Sequence, residues 1–120
     1  MASFRTFENK LRDFLINKAK TSNETAAAIR KFSNIRISMN HQKFDRPHFI
    51  IKIGISEAAF DIDSGLILSG GLGPESQDVR NWVMKYLKKT EMKGIWQTEY
   101  KGYLARLELE QSGSTAKKND

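Results

Sequence analysis

At Asn34 the spacing of apolar residues drops from three and four to two, and it returns to helical spacing beyond Gly71. Ahead of that point Phe4, Phe7, Leu11, Phe14 and Leu15 recur with Arg5, Lys10, Arg12 and Asp13 between them, which predicts an amphipathic helix over residues 3–20. A second helix is predicted from Ser22 or Asn23, either of which can cap an N-terminus, through the alanine-rich "ETAAAIRKF". From Asn34, Ile35, Ile37 and Met39 alternate with Arg36 and Ser38, and "HFIIKIGI", "EAAFDID" and "GLILSGG" follow. Short runs of period two separated by turn residues predict a four-stranded antiparallel meander. Gly54 to Ser56 and Asp63 to Gly65 supply its tight connections. Pro47 has no amide to donate and belongs where a strand begins.

"GGLGP" at 70–74 ends the meander, and "ESQDVRNWVMKYLKKT" places Val79, Trp82, Val83, Tyr86 and Leu87 at helical spacing. Such a helix covers one face of the sheet, with Glu75 and Asp78 at the positive end of its dipole and Lys85, Lys88 and Lys89 at the negative end. "EMKGIWQTEY" reads as a short helical turn that tucks Trp96 inward, and "YLARLELE" as either a further strand or a helix end. From Gln111 the chain is polar and reads as a disordered tail. The expected fold is therefore α+β: an N-terminal helical portion over 1–33, a core of meander and C-terminal helix over 34–110, and a tail over 111–120.

The chain has 120 residues and no cysteine. Disulfides, zinc–thiolate sites and cysteine nucleophiles are thereby excluded, which suits a reducing compartment. No apolar run approaches the roughly 18 residues of a membrane span, and "MASFRTFENKLRDFL" lacks the layout of a secretory signal. The expectation is a cytoplasmic protein with no membrane partner. Net charge is +6, and residues 1–54, with eleven Lys/Arg against four Asp/Glu, carry all of the excess. A regional cationic surface favours polyanionic partners through counterion release. The candidate binding residues are Arg5, Lys10, Arg12, Lys18, Lys20, Arg30, Lys31, Lys43 and Arg46, facing nucleic acid or an acidic protein surface; solvated helix charge is the alternative.

Both histidines, His41 and His48, lie in "NHQKFDRPHFIIKIG". With Lys43 and Arg46 they could cleave RNA by acid–base catalysis, a cation stabilising the transition state. The simpler reading has His48 hydrogen-bonded to the backbone where its strand begins. A metal site built from the histidines with Asp45, Asp61 or Asp63 is disfavoured, since carboxylates beside a turn are common for turn reasons alone. "GGLGPES" lacks the Gly-Lys-Ser/Thr ending of a phosphate loop. Trp82, Tyr86 and Trp96 have core spacing and are expected to point inward. No metal and no cofactor is expected.

His41, Pro47-His48-Phe49, "EAAFDIDSGLILSGGLGPESQDVRNWV" and Trp96 together resemble a bacterial family, domain of unknown function number four-one-six-zero, over about residues 38–98. Members typically carry a His, then Pro-Pro-His-Phe-His, an acidic strand with a Gly turn, a Gly-Leu-Pro step and a Trp-bearing helix, in gene pairs that look like toxin–antitoxin modules. This chain has Arg46 in place of the second Pro and Ile50 in place of the last His, so the histidine cluster is depleted. The resemblance implies one half of a two-gene module, and the expected function is a small non-catalytic regulatory or interaction protein, such as a toxin–antitoxin or phage-defence component, that acts by binding a macromolecule, a cognate partner protein among the candidates. A metal-independent ribonuclease toxin using His41 and His48 is one alternative, and a phage-encoded inhibitor of a nucleic-acid-binding defence complex is another.

Overall fold

The computed structural model describes residues 3–20 and 25–119. In chain order its elements are α1 (Phe4–Lys20), α2 (Thr25–Phe32), β1 (Arg36–Ser38), β2 (His48–Ile53), β3 (Ser56–Asp61), β4 (Ile67–Gly71), a 3-10 turn (Gly73–Glu75), α3 (Ser76–Lys85) and α4 (Lys89–Asn119). Ser22 and Asn23, the expected cap of α2, lie outside the described residues. The strands form one sheet in the order β1-β2-β3-β4, antiparallel throughout. The fold is α+β, with the four-stranded meander, two N-terminal helices and a C-terminal helix that the periodicity predicts.

Alternation decides which residues meet. Ile37 lies opposite Ile51, Ile51 opposite Ala58, and Phe49 opposite Phe60, so these pairs give one sheet face an apolar centre. The Phe49 and Phe60 rings are stacked with centroids 5.7 Å apart. Against this face pack Phe7, Leu11 and Leu15 of α1 and Val79, Trp82 and Val83 of α3, in a single core that also takes in Met92. Each such side chain fully removed from water stabilises the fold by about 1.5–3 kcal/mol. The helical portion and the sheet therefore share one interior.

Polar groups fasten α1 at both edges. The buried Glu8 carboxylate accepts the Ile37 amide at 2.7 Å, which covers a backbone donor on the outer side of edge strand β1. Arg12 donates to the Phe32 carbonyl at 2.9 Å, to the Ser33 carbonyl at 3.3 Å and to Asn9 Oδ1 at 2.8 Å. It thus satisfies carbonyls at the C-terminal end of α2.

The structure differs from the sequence reading in four places. The helix predicted through Thr90 stops at Lys85, where Tyr86 leaves helical geometry at φ −121°; Lys88 and Lys89 therefore stand at the start of α4 and only Lys85 at the end of α3. Tyr86 is 63% exposed and not inward, because it follows the last helical turn and lies against Phe14 on the surface, ring centroids 5.4 Å apart. The expected short turn and the doubtful strand after it are one helix, α4. Its Met92, Trp96, Tyr100, Tyr103 and Leu107 recur at three and four, and a glycine inside a helix, such as Gly94 or Gly102, costs only about 1 kcal/mol of helix propensity. α4 runs on through residues 111–119, which composition alone reads as a tail; side chains beyond Gln111 are not among those described.

Candidate functional site

The second face of the sheet carries the polar half of the alternation. Arg36, Lys52, Glu57 and Gly71 form one row across it, each opposite the next. Ser38, Ile50, Ala59 and Ser69 form the next row, and His48 with Asp61 a third. The segment 39–47 folds over the last two rows, so that Ile50, Ala59, His48 and Asp61 are buried while Arg36, Lys52 and Glu57 stay exposed. A groove of about 240 Å³ opens where the cover ends. Ile50, Ala59 and Gly70 line it together with Lys43, Phe44, Glu57 and Ser69.

His48 is 0% exposed. Its Nε2 accepts the Asn40 amide at 2.9 Å and its Nδ1 bonds the Arg46 carbonyl at 2.8 Å. An amide can only donate and a carbonyl can only accept, so the ring is neutral, with its proton on Nδ1. Burial lowers its pKa, against the opposing effect of the Arg46 carbonyl. The imidazole holds the two ends of the 40–47 loop together and has no nitrogen left for a substrate.

His41 is placed differently. Its ring lies 5.7 Å from His48 in an edge-on contact, 5.7 Å from Trp96, 5.5 Å from Tyr100 and 6.0 Å from Tyr103. Both of its nitrogens, and Trp96 Nε1, are enclosed and have no hydrogen-bond partner among the described residues. Burial first, and then the neighbouring His48 and Arg106, push its pKa down, with Glu99 opposing. The loop is thus pinned to β2 by one histidine and packed on α4 by the other. Trp96 and Tyr100, stacked 5.0 Å apart, are the inward part of α4.

Asp61 Oδ2 accepts the Ser64 amide at 3.0 Å and its hydroxyl at 2.5 Å, and Arg46 Nε lies 3.4 Å from Oδ1. Burial opposes ionisation of this carboxyl, yet the Ser64 bonds and the Arg46 guanidinium outweigh it and hold the pKa below its usual value. Asp61 therefore closes the β3–β4 turn. Among the described residues no three His, Cys, Asp or Glu side chains gather as a metal ion would need.

Several of the basic candidates are engaged within the chain. Lys18 pairs with Asp78 at 3.2 Å, Lys31 with Glu75 at 2.5 Å and Arg46 with Asp61, while Arg12 serves the carbonyls that follow α2. Lys43 reaches Ser69 Oγ at 3.5 Å and lies 5.4 Å from the Phe44 centroid. The Lys20 side chain is outside the described residues. Arg5, Lys10 and Arg30 are exposed, but at about 100° per residue Lys10 stands about 140° round α1 from Arg5. Folding has joined cations of residues 1–54 to carboxylates of the later half, which reduces the charge asymmetry seen in the sequence.

Sequence reasoning passed over Arg36 and Lys52. Both are exposed, lie directly opposite one another on β1 and β2, and make no ion pair with a described residue. The signal was present, since both occupy polar positions of alternating strands. What the sequence lacked was the register that sets them side by side.

No family model, no curated protein and no solved structure matches this chain.

Proposed function

We propose that the protein is a non-catalytic docking protein for an anionic macromolecule, nucleic acid before an acidic protein, engaged through the open end of the outer sheet face. One observation carries this reading: Arg36 and Lys52 are direct cross-strand neighbours, exposed and unpaired among the described residues. Lys52 also has Glu57 opposite it on β3, which offsets part of its charge, whereas Arg36 on the edge strand faces Lys52 alone. Like charges placed opposite each other in a sheet are destabilising, by an amount comparable to the roughly 0.2–1 kcal/mol of favourable cross-strand pairs. A phosphate backbone relieves that repulsion and releases its counterions. Lys43 extends the same cationic rim across the groove.

The two imidazoles support a binding role over an acid–base one. His48 has both nitrogens bonded to backbone groups, and the nitrogens of His41 are enclosed. The ribonuclease reading keeps one point in its favour, the 5.7 Å approach of the two rings. Membership of a toxin–antitoxin or phage-defence pair rests on the family resemblance alone.

The test is a titration of fluorescent oligonucleotides at several salt concentrations. Joint charge reversal of Arg36→Glu and Lys52→Glu should weaken binding at least about tenfold and lower the salt slope by about two. The same reversals at Arg5 and Arg30 should do much less. Equal loss from both pairs would move the surface back to the helices, and RNA cleavage that disappears in His41→Phe would restore the enzyme reading.

A further inference from the structure

Resting on that docking reading, the geometry points to single-stranded nucleic acid as the occupant, with one base seated in the groove beside Phe44 and its exocyclic amine on Glu57. The groove is short: about 240 Å³, room for one flat heterocycle and below the usual range for drug-sized ligands. Its floor is Ile50, Ala59 and Gly70, and the half-buried Phe44 stands at its wall. An apolar floor with an aromatic wall suits the face of a base, which duplex stacking would withhold.

Gly70 lines the groove where β4 meets β3. It has φ +74°, and a Cβ there would fall 2.2 Å from the Glu57 carbonyl oxygen. β3 and β4 therefore approach closely at this point, and no side chain can be carried there.

The charges around the groove are of two kinds. Lys43 borders it, and Arg36 and Lys52 continue the row that ends in Glu57. Those cations suit phosphates on either side of a seated base. Glu57 is the exposed carboxylate in the row, and it would repel a phosphate. A carboxylate among cations accepts a base amino group instead, the pairing that distinguishes cytosine N4 and adenine N6 from the uracil carbonyl. Ser69 Oγ, now 3.5 Å from Lys43 Nζ, is a second polar group that a base edge could engage once Lys43 turns to a phosphate.

The experiment compares short fluorescent oligo(rC), oligo(rA), oligo(rU) and a duplex RNA by anisotropy on the full chain. The expected order is oligo(rC) and oligo(rA) over oligo(rU) by about tenfold, the gain from one hydrogen bond to a charged group, with the duplex weaker than all three. Glu57→Gln, a change at an exposed position, should shrink the preference for amino-bearing bases to less than about threefold, since a neutral amide acceptor is weaker than a carboxylate. Phe44→Ala, accepted only if thermal unfolding shows a folded protein, should weaken all three single strands and leave the duplex unchanged.

If the Arg36 and Lys52 reversals abolish binding while the bases are bound alike and Glu57→Gln changes nothing, docking stands and the seated base is refuted. Tighter binding of duplex than of single strands has the same meaning. If an acidic polypeptide such as polyglutamate competes as well as oligo(rC), docking of an anion stands and the seated base is refuted; if those reversals leave binding untouched, both proposals fall.

Discussion

His41 and His48 are neighbours in sequence and in space, yet they should respond to substitution in opposite ways. In His48→Leu the new side chain fills much of the same space, so little cavity is made. The Asn40 amide and the Arg46 carbonyl, now bonded to the ring at 2.9 and 2.8 Å, are left without partners under the loop. A buried backbone group without its partner costs about 1–3 kcal/mol. Both of these bonds are only partly buried, so the sum falls at about 2–4 kcal/mol. For a domain of this length that is a fall of about 8–15 °C in Tm, or about 1–2 M in urea midpoint.

His41→Phe removes two enclosed nitrogens that bond to no described residue and keeps an aromatic ring against Trp96, Tyr100 and Tyr103. Its stability should stay within about 0.5 kcal/mol of the original or rise by about 1 kcal/mol. Urea unfolding followed by Trp fluorescence measures both variants, since Trp82 reports on the core and Trp96 on the contact with His41. An unmoved midpoint in His48→Leu, or an equal fall in His41→Phe, would refute the bonding pattern and with it the structural role of His48.

Gly70→Ala should destabilise by about 2–4 kcal/mol, because φ +74° is strained for any side chain and the Cβ meets the Glu57 carbonyl at 2.2 Å. Gly71→Ala, which meets nothing within 4 Å, should be nearly neutral, and equal denaturation midpoints for the two would contradict the close strand approach. Stability should also fall on acidification. Both histidines have folded pKa values below the ordinary 6.5, so below that pH the unfolded chain takes up protons that the folded one refuses, and stability drops until the folded values are reached. Asp61, depressed below 3.8, adds a separate loss only as pH falls through its own lower value. Urea midpoints measured from neutral to acid should show the first decline, with a shallower one in His48→Leu; a flat or rising profile would contradict it.

Periodicity was enough to determine the α1 face, the four strands and their order, because sterics and burial act on neighbours in sequence and leave a repeat of two or 3.6 residues. Pro47 and Gly65 likewise mark the start of β2 and the β3–β4 turn through local backbone preference alone. The length of α4 was harder to read, since Gly94 and Gly102 look like breaks and its stripe is interrupted by charges. What tertiary structure alone decided was the partner of each charged or aromatic group. Only the fold brings Arg12 to the Phe32 and Ser33 carbonyls, Lys18 to Asp78 on α3 and Lys31 to Glu75 in the turn before it. Arg36 and Lys52 become a pair only through strand register, and His41 and His48 are told apart only by which nitrogens find a backbone group. Electrostatic and hydrogen-bonding roles depend on distances of a few ångströms between residues far apart in the chain, and those distances exist only once the chain has folded.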